Sequence, residues 1–526
     1  MPSTSSSRET RDLIGSLERA FLADQFRPFI QSLWFPYYKN FLPGARVDFK
    51  FPVTVITGQN GTNKSSILKT LYGCCQDQSL GDLWFSSATD TIVDPEGGST
   101  RFVYTFYSEE YKVTAEVLQN HRRRIRPGEK DEPDYWETSR PSKKDGMRDG
   151  RKEVKALTGK QRWEKIEKKC TLIDFRSELS AFDRYFYHLP FKVGKRFENK
   201  KEFIRLRSET LRHVLLTERD FHRAFGSNGG AWDVKYRTLT DDLTQQINRI
   251  LGKKYHAIVV LRHNLFGFSG STVSIRLGDG TNYTEAFAGS GEFAVIMLVM
   301  KLHGVGNHEL VLMDEPEMSL HPGAQKALLN HICQVTLAKK LQVVISTHSP
   351  AIVEELPRIA VRTLFDTAGQ IDVLQDCDPG QAFFYIAPTQ VQTRNLYFED
   401  RLAAEITRYV ARTVRNPAYA QQFSYHFLPG GHTAIKDTFI VAASRSGSLS
   451  SFYLLDGDQR PVVHILAHSG QARSIYLATC ARLSWPPRLA ESGHLLPCTR
   501  DSTGILKDAQ EACCYAEHTG SSSAQV

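Results

Sequence analysis

An apolar stretch containing Val53, Val55 and Ile56 runs into Gly58-Gln59-Asn60-Gly61-Thr62-Asn63-Lys64-Ser65-Ser66. A loop of this kind between a strand and a helix turns backbone N–H groups outward, and the helix N-terminus favours an anion. Gly58, Asn60, Gly61 and Asn63 shape the loop, Lys64 brings an ammonium, and Ser65 and Ser66 bring hydroxyls, Ser65 being the one suited to Mg2+. Together these are what a nucleoside triphosphate needs. Far downstream, Leu310-Val311-Leu312-Met313-Asp314-Glu315-Pro316-Glu317 reads as a buried strand ending in carboxylates. Asp314 is of the type that holds a metal through its water shell, and Glu315 of the type that polarises an attacking water.

Two further segments complete an ordered set. Ala288-Gly289-Ser290-Gly291-Glu292 heads an apolar helix, Phe293 to Leu302, between the first two motifs. Val343-Val344-Ile345-Ser346-Thr347-His348-Ser349-Pro350 follows them as another buried strand, ending in a histidine. The order resembles the ABC-type ATPase heads of the SMC, RecF and OLD (overcoming lysogenization defect) families. That resemblance implies ATP with Mg2+ as cofactors and a homodimer, or a higher oligomer, with ATP sandwiched between heads. Ser290, Gly291 and Glu292 then act in trans as the signature loop, and His348 contacts the γ-phosphate. Two positions depart from the family pattern. Asn63 stands where glycine is usual, and asparagine is the side chain that best tolerates left-handed backbone angles. Gly289 stands where serine is usual, which leaves Ser290 as the hydroxyl donor.

A second group of carboxylates lies nearer the C-terminus. Asn395-Leu396-Tyr397-Phe398-Glu399 reads as a short strand leading into a helix, and Phe452-Tyr453-Leu454-Leu455-Asp456-Gly457-Asp458 as a strand ending in an Asp-x-Asp pair. Between them Phe427-Leu428-Pro429-Gly430-Gly431-His432 forms a glycine-rich turn before a helix with Ile435 and Lys436. Carboxylates at neighbouring ends of parallel strands converge on one rim, where Glu399, Asp456 and Asp458 can share a divalent cation. Such a site clamps a scissile phosphate and acidifies a bound water. The alternative is a polar turn at Asp456-Gly457-Asp458 and a dipole-favoured charge at Glu399. The order resembles a Toprim domain, the fold of topoisomerases, primases and OLD nucleases, over about residues 390 to 465. The resemblance implies acid–base or metal work for Glu399 and Mg2+, or Mn2+, held by Asp456 and Asp458. Head plus Toprim is the OLD architecture, which implies ATP-regulated DNA cleavage and bacterial defence against phage.

The elements that must position these groups are legible in outline. With 526 residues, 41% hydrophobic and 24% charged, the chain has core-forming material for several domains. The expected fold class is α/β: an ABC-type P-loop ATPase head, a mixed sheet with flanking helices, carrying a helical basic insertion, then a Toprim-like parallel α/β domain. Residues 1–115 form the first ATPase lobe, 116–250 the basic and helical insertion, and 251–388 the lobe with signature loop, second carboxylate motif and histidine switch. Residues 389–465 form the Toprim-like domain and 466–526 a divergent or loosely ordered tail. Within the insertion, Trp163, Ile166 and Cys170 have helical spacing, and Leu206 to Leu215 alternates as an amphipathic helix does. Thr240 is placed to cap a helix that Gly252 ends, and Ala257–Leu261 and Val273–Leu277 read as strands joined to a Gly278-Asp279-Gly280 turn.

Charge and cysteine usage narrow the partners. From His121 to Cys170 there are 17 Lys and Arg against 10 Asp and Glu, beginning with Arg122-Arg123-Arg124-Ile125-Arg126. This is either a solvated, partly disordered face or a surface for the DNA backbone. Aromatics are sparse there, which argues against base stacking. No apolar run reaches the roughly 18 residues of a membrane span, and the polar start Met1-Pro2-Ser3-Thr4 lacks a signal-peptide core, so a cytoplasmic location is expected. Nine cysteines without framework spacing fit reduced thiols. Three functions meet these observations: an ATP-gated DNA endonuclease, an ATPase sensor that binds nucleic acid or a phage-encoded trigger protein and restrains or releases a separate toxic effector, and a RecF-like DNA-repair ATPase.

Overall fold

The computed structural model describes residues 4–95, 98–124, 131–175, 179–191, 197–225, 230–386, 394–413, 423–441, 451–455 and 477–479. It divides into two compact units, Met1–Ile386 and Ala387–Val526.

The first unit is organised on a six-stranded mixed sheet of order β16-β15-β3-β14-β13-β7. Its strands are β3 (Val53–Gly58), β7 (Cys170–Asp174), β13 (Leu310–Asp314), β14 (Gln342–Ser346), β15 (Val361–Thr367) and β16 (Gln370–Leu374). Five run parallel and β16 returns antiparallel at the edge. Every residue of β3, β13 and β14 is buried, as a parallel strand covered on both faces requires. Helices α2 (Lys64–Cys74), α8 (Pro322–Lys339), α9 (Pro350–Val353) and α10 (Pro379–Ile386) supply part of that cover. Register fixes the rim: Ile56 lies beside Ser346, and Ser346 beside Asp314. The C-terminal ends of β3, β14 and β13 therefore meet at one level, where ligand loops of α/β sheets gather.

Two antiparallel sheets flank this layer. One has the order β2-β1-β4-β5-β6, with β1 (Ile30–Tyr37), β2 (Ala45–Asp48), β4 (Arg101–Ser108), β5 (Val113–Arg124) and β6 (Glu132–Ser139), accompanied by α1 (Thr4–Leu22) and α3 (Arg151–Thr158). The other has the order β12-β11-β10-β9-β8, with β8 (Phe221–Ala224), β9 (Ala231–Thr238), β10 (Tyr255–His263), β11 (Gly270–Leu277) and β12 (Asn282–Thr284). It carries α4 (Ala181–Asp183), α5 (Lys200–Thr217), α6 (Asp241–Leu251) and α7 (Ser290–Gly304). As the sequence indicates, the Thr240 side chain accepts from Leu243 N at the start of α6, and Gly252 ends the helix at φ 64°. One continuous core joins the central sheet to the first flanking sheet and to α6, α7 and α8.

The segment 116–250 differs from the helical insertion expected of it. Five strands, β5 to β9, include residues in this range, and β7 is the edge of the central sheet, so the segment is woven into the first unit. Trp163 and Ile166 are buried as their spacing suggests, but in extended chain, Ile166 bridging to Cys75. Lysine-rich composition masks the pleat here, because the apolar residues that define these strands are few and the charges sit on exposed ends.

The second unit is a four-stranded parallel sheet, β18 (Phe423–Phe427), β17 (Arg394–Phe398), β19 (Ser451–Leu455) and β20 (Leu477–Thr479) in spatial order. Helix α11 (Arg401–Thr413) follows β17. Of the expected tail only β20 falls among the described residues.

Candidate functional site

The loop between β3 and α2 has the geometry of an anion cradle. Gly58 has φ 148°, and a Cβ there would lie 2.5 Å from Leu364 O, so no side chain fits. Gly61 has φ 82°. Asn63 takes φ 66° and ψ 25° at the helix N-cap, the left-handed conformation that lets asparagine stand in for glycine. Lys64 is buried, with Nζ donating to Gly58 O at 3.1 Å and Gln59 O at 2.9 Å, which holds the ammonium against the loop. Ser65 and Ser66 follow in the first turn of α2.

Across the rim stand Asp314, Glu315 and His348. Asp314 is the buried last residue of β13. Glu315 bends away at φ 51°, donating its N–H to Ser346 O at 2.9 Å, and its Oε1 lies 3.9 Å from His348 Nε2. Burial, then the charge of Lys64, hold His348 below the ordinary imidazole range, while Glu315 and Asp314 act in the opposite direction. One electrostatic neighbourhood therefore contains Lys64, Asp314, Glu315 and His348. The side chain of His348 leaves Nε2 buried with no hydrogen-bond partner among the described residues, and Thr57 Oγ1 and Ser346 Oγ share that condition at neighbouring strand ends. Buried polar atoms of this kind, beside a cradle that excludes Cβ atoms, fit a triphosphate with its Mg2+.

Two contributors were not singled out from sequence. Lys39, after β1, donates to Ser66 Oγ at 2.7 Å and stands 4.6 Å from the Trp84 ring centroid, while Asn63 Nδ2 donates to Asn40 Oδ1. Burial, then Lys69, lower Lys39 to about 8. Tyr38-Lys39-Asn40-Phe41, just upstream of the loop, was the available signal. Glu317 accepts from Thr347 Oγ1 and from His348 N at 2.9 Å, fixing the backbone of the histidine; burial raises its pKa.

Residues 53–354, more than half of the chain, match the family described as "AAA domain, putative AbiEii toxin, Type IV TA system". The chain belongs to that family. Its first unit is thus an AAA-family ATPase domain, of a class that uses ATP and Mg2+. Protein ea59 of Escherichia phage lambda is 31% identical over 87 residues, which cover 16% of this chain and 17% of that protein's length. Among solved structures, the SMC head domain from Thermotoga maritima is 14% identical, with 66% of this chain and 98% of that chain covered and a TM-score of 0.32. The Smc head bound to the C-terminal winged-helix domain of ScpA is 13% identical over 66% and 97% of the two chains, with a TM-score of 0.36.

In the AAA domain the segment Ala288 to Glu292, expected to be the signature loop, opens α7. Glu292 reaches back to accept from Gly289 N at 2.9 Å and from Tyr283 Oη at 3.1 Å, and Tyr255 Oη donates to the same carboxylate. Burial, followed by the hydrogen bond to Glu292, drives the Tyr255 phenol well above its ordinary range. The Glu292 carboxylate is consequently engaged within its own chain, where it sets the loop. A Cβ on Gly291 would lie 2.7 Å from Ser319 O, so the loop packs close on the segment after Glu317. Ser290 is exposed, and Phe287 beside it is 88% exposed.

The arginine run lies on β5. Arg122 lies 3.5 Å from Glu137, Arg123 pairs with Asp131, and Arg124 is 3.8 Å from Glu132 with its guanidinium 4.4 Å from the Tyr135 ring. Glu132 and Glu137 of β6, with Asp131 just before it, thus offset three of the four arginines; Arg126 lies outside the described residues. Arg151, Lys152 and Lys155 on α3 are exposed.

In the second unit, Glu399 follows β17 directly, and its Oε1 accepts from His432 N at 2.9 Å, with His432 Nδ1 at 3.5 Å. The turn at Gly430 (φ 114°) and Gly431 (φ 66°) brings His432 there, a residue whose part was not foreseen. Asp456 and Asp458 lie outside the described residues, as do Cys480, Cys498, Cys513 and Cys514. Cys74, Cys75, Cys170, Cys333 and Cys377 are free thiols. Among the described residues no group of three His, Cys, Asp or Glu is arranged to hold a metal, and no helix is long and apolar enough to cross a membrane.

Proposed function

We propose that the chain binds and hydrolyses ATP, that two copies close on the nucleotide through their signature loops, and that closure gates Mg2+- or Mn2+-dependent DNA cleavage by the second unit in defence against phage. The observation that carries this reading is the meeting of Lys64, Asp314, Glu315 and His348 at one rim. Lys64 and the loop N–H groups hold phosphate oxygens; Ser65 and Asp314 would hold Mg2+. Bound nucleotide supplies a γ-phosphoryl group for transfer to water, with the cation offsetting its charge. A carboxylate oxygen of Glu315 takes the proton of the attacking water, and His348, kept neutral near pH 7 by burial and Lys64, offers Nε2 to the γ-phosphate. The exposed Ser290 and Phe287 support completion of the site by a second copy.

For the second unit, a Toprim-like role is supported by a parallel sheet with Glu399 at a strand end beside a glycine-rich turn. Duplex DNA would lie along α3 rather than the compensated arginines of β5. The test is incubation of purified protein with supercoiled plasmid, ATP and Mg2+ or Mn2+. Nicking or linearisation that requires ATP supports the reading. If ATP is hydrolysed and plasmid stays intact, the second reading holds: an ATPase sensor restraining a separate effector, which the toxin–antitoxin description of the family favours.

A further inference from the structure

Away from the phosphate loop, the sheet that precedes the signature helix contains a pocket of about 390 Å³. Its walls are Phe203 and Arg207 of α5, Phe225 and Trp232 of the β8–β9 hairpin, and Phe266 and Phe268 between β10 and β11. Phe203, Phe225, Trp232 and Phe268 are each partly exposed. Phe225 and Trp232 meet edge-on at 4.6 Å, and Phe266 stacks on Tyr185 at 5.1 Å, so the rings are braced from behind.

Guanidinium groups accompany these rings. Arg207 lies 3.8 Å from the Trp232 centroid and 4.8 Å from that of Phe203. Arg184 lies 4.5 Å from Phe268, and Arg223 lies 5.6 Å from Phe225. Arg184 and Arg223 are exposed, and neither pairs with a carboxylate among the described residues. A guanidinium on an aromatic ring is itself a flat surface for stacking, while its N–H groups remain in plane for phosphate oxygens.

This chemistry selects an occupant. The lining contains no histidine, thiol or carboxylate, which removes metal ions. A wholly apolar ligand would leave the cations unused, and inorganic phosphate would leave the rings unused. A base with its flanking phosphates uses both, and stacking on aromatic rings and arginine is how unpaired bases are held. Paired bases inside a duplex present no free face to such a pocket. We infer that the pocket takes an unpaired base of a single-stranded nucleic acid, with Arg184 and Arg223 meeting its phosphates. The site is separate from the nucleotide-hydrolysis machinery and does not depend on it.

The experiment is fluorescence anisotropy of the full chain, without ATP, against labelled 15-residue oligo(dT) and oligo(U), with uridine and thymidine monophosphates as competitors. The test variants are Arg184→Glu with Arg223→Glu, both exposed, and Phe268→Leu, which keeps apolar bulk and removes the ring. Strand affinity is expected to fall at least tenfold in the first and about fivefold or more in the second, the range for a lost stacked base. ATP turnover without nucleic acid stays at the wild-type rate, and 5-iodouracil strands crosslink to peptides containing Phe225, Trp232 or Phe268. The ratio of dT to U binding shows which sugar is preferred, and either preference supports the inference. It is overturned if wild type binds neither strand, if both variants bind as wild type does, if crosslinks map elsewhere, or if monophosphates compete as well as a strand.

Discussion

His348 Nε2 lies 3.9 Å from Glu315 Oε1, joining the C-terminal ends of β14 and β13 across the rim that also holds Lys64. On the proposed mechanism, the acceptor for the water proton and the contact for the phosphate it attacks share one place. Glu315→Gln keeps shape and removes the acceptor. Turnover is expected to fall about 10²–10⁴-fold, with ATP still bound. Size-exclusion chromatography with ATP then shows a trapped dimer; identical elution with and without nucleotide would refute closure between copies.

Lys64→Ala is expected to abolish the heat of Mg·ATP binding in calorimetry. Lys39→Ala, which removes the cation touching Ser66, should weaken binding about tenfold and leave the fold intact, since Lys39 lies at the edge of the core. Unchanged affinity in Lys39→Ala would reduce this residue to a brace for Trp84.

Tyr255→Phe deletes one of the two phenol bonds to Glu292 while preserving the ring. ATP-driven dimerisation is expected to weaken severalfold, whereas nucleotide binding by the isolated head stays as in wild type. Equal loss of both would mean the substitution disturbs the core generally.

Acid should destabilise the first unit through His263 and His331, both lowered to about 4 by burial. Near neutral pH these imidazoles are uncharged folded or unfolded. Below about 6.5 the unfolded chain binds protons that the folded one refuses, so stability falls between pH 6.5 and 4, by about 3 kcal/mol for each group. Glu285, raised to about 7 by burial, acts oppositely: it stays protonated in the fold, and its contribution is lost as pH rises through 7. Neither ring nitrogen of His331 has a partner among the described residues. His331→Leu should therefore stabilise by about 1 kcal/mol at pH 7.5 and flatten the acid limb of a melting-temperature series by roughly one proton.

If the second unit cuts DNA, Glu399→Ala and the pair Asp456→Ala with Asp458→Ala each abolish plasmid nicking while ATP hydrolysis persists. Cutting that survives the double substitution would remove the Toprim assignment.

The strands that carry the rim were legible because buried parallel strands read as apolar runs, and β3, β13 and β14 end on Gly58, Asp314 and Ser346, residues of their motifs. Helix α6 was legible from Thr240 and Gly252, since caps act locally. Lys39 and Glu317 were not, because their importance comes from neighbours brought close by folding: Ser66 in one case, Thr347 and the His348 backbone in the other. The strands of 116–250 were hidden for a related reason. Arg122 to Arg124 look like a free cationic patch until β6 sets Glu137 and Glu132 alongside.

The clasp on Glu292 bears on when order is acquired. Gly289, Tyr255 and Tyr283 restrain this carboxylate within a single copy, so the loop that opens α7 loses its conformational freedom as the chain folds. If two copies close there as proposed, little is left to freeze at that point, and less of the binding free energy is spent on ordering the loop.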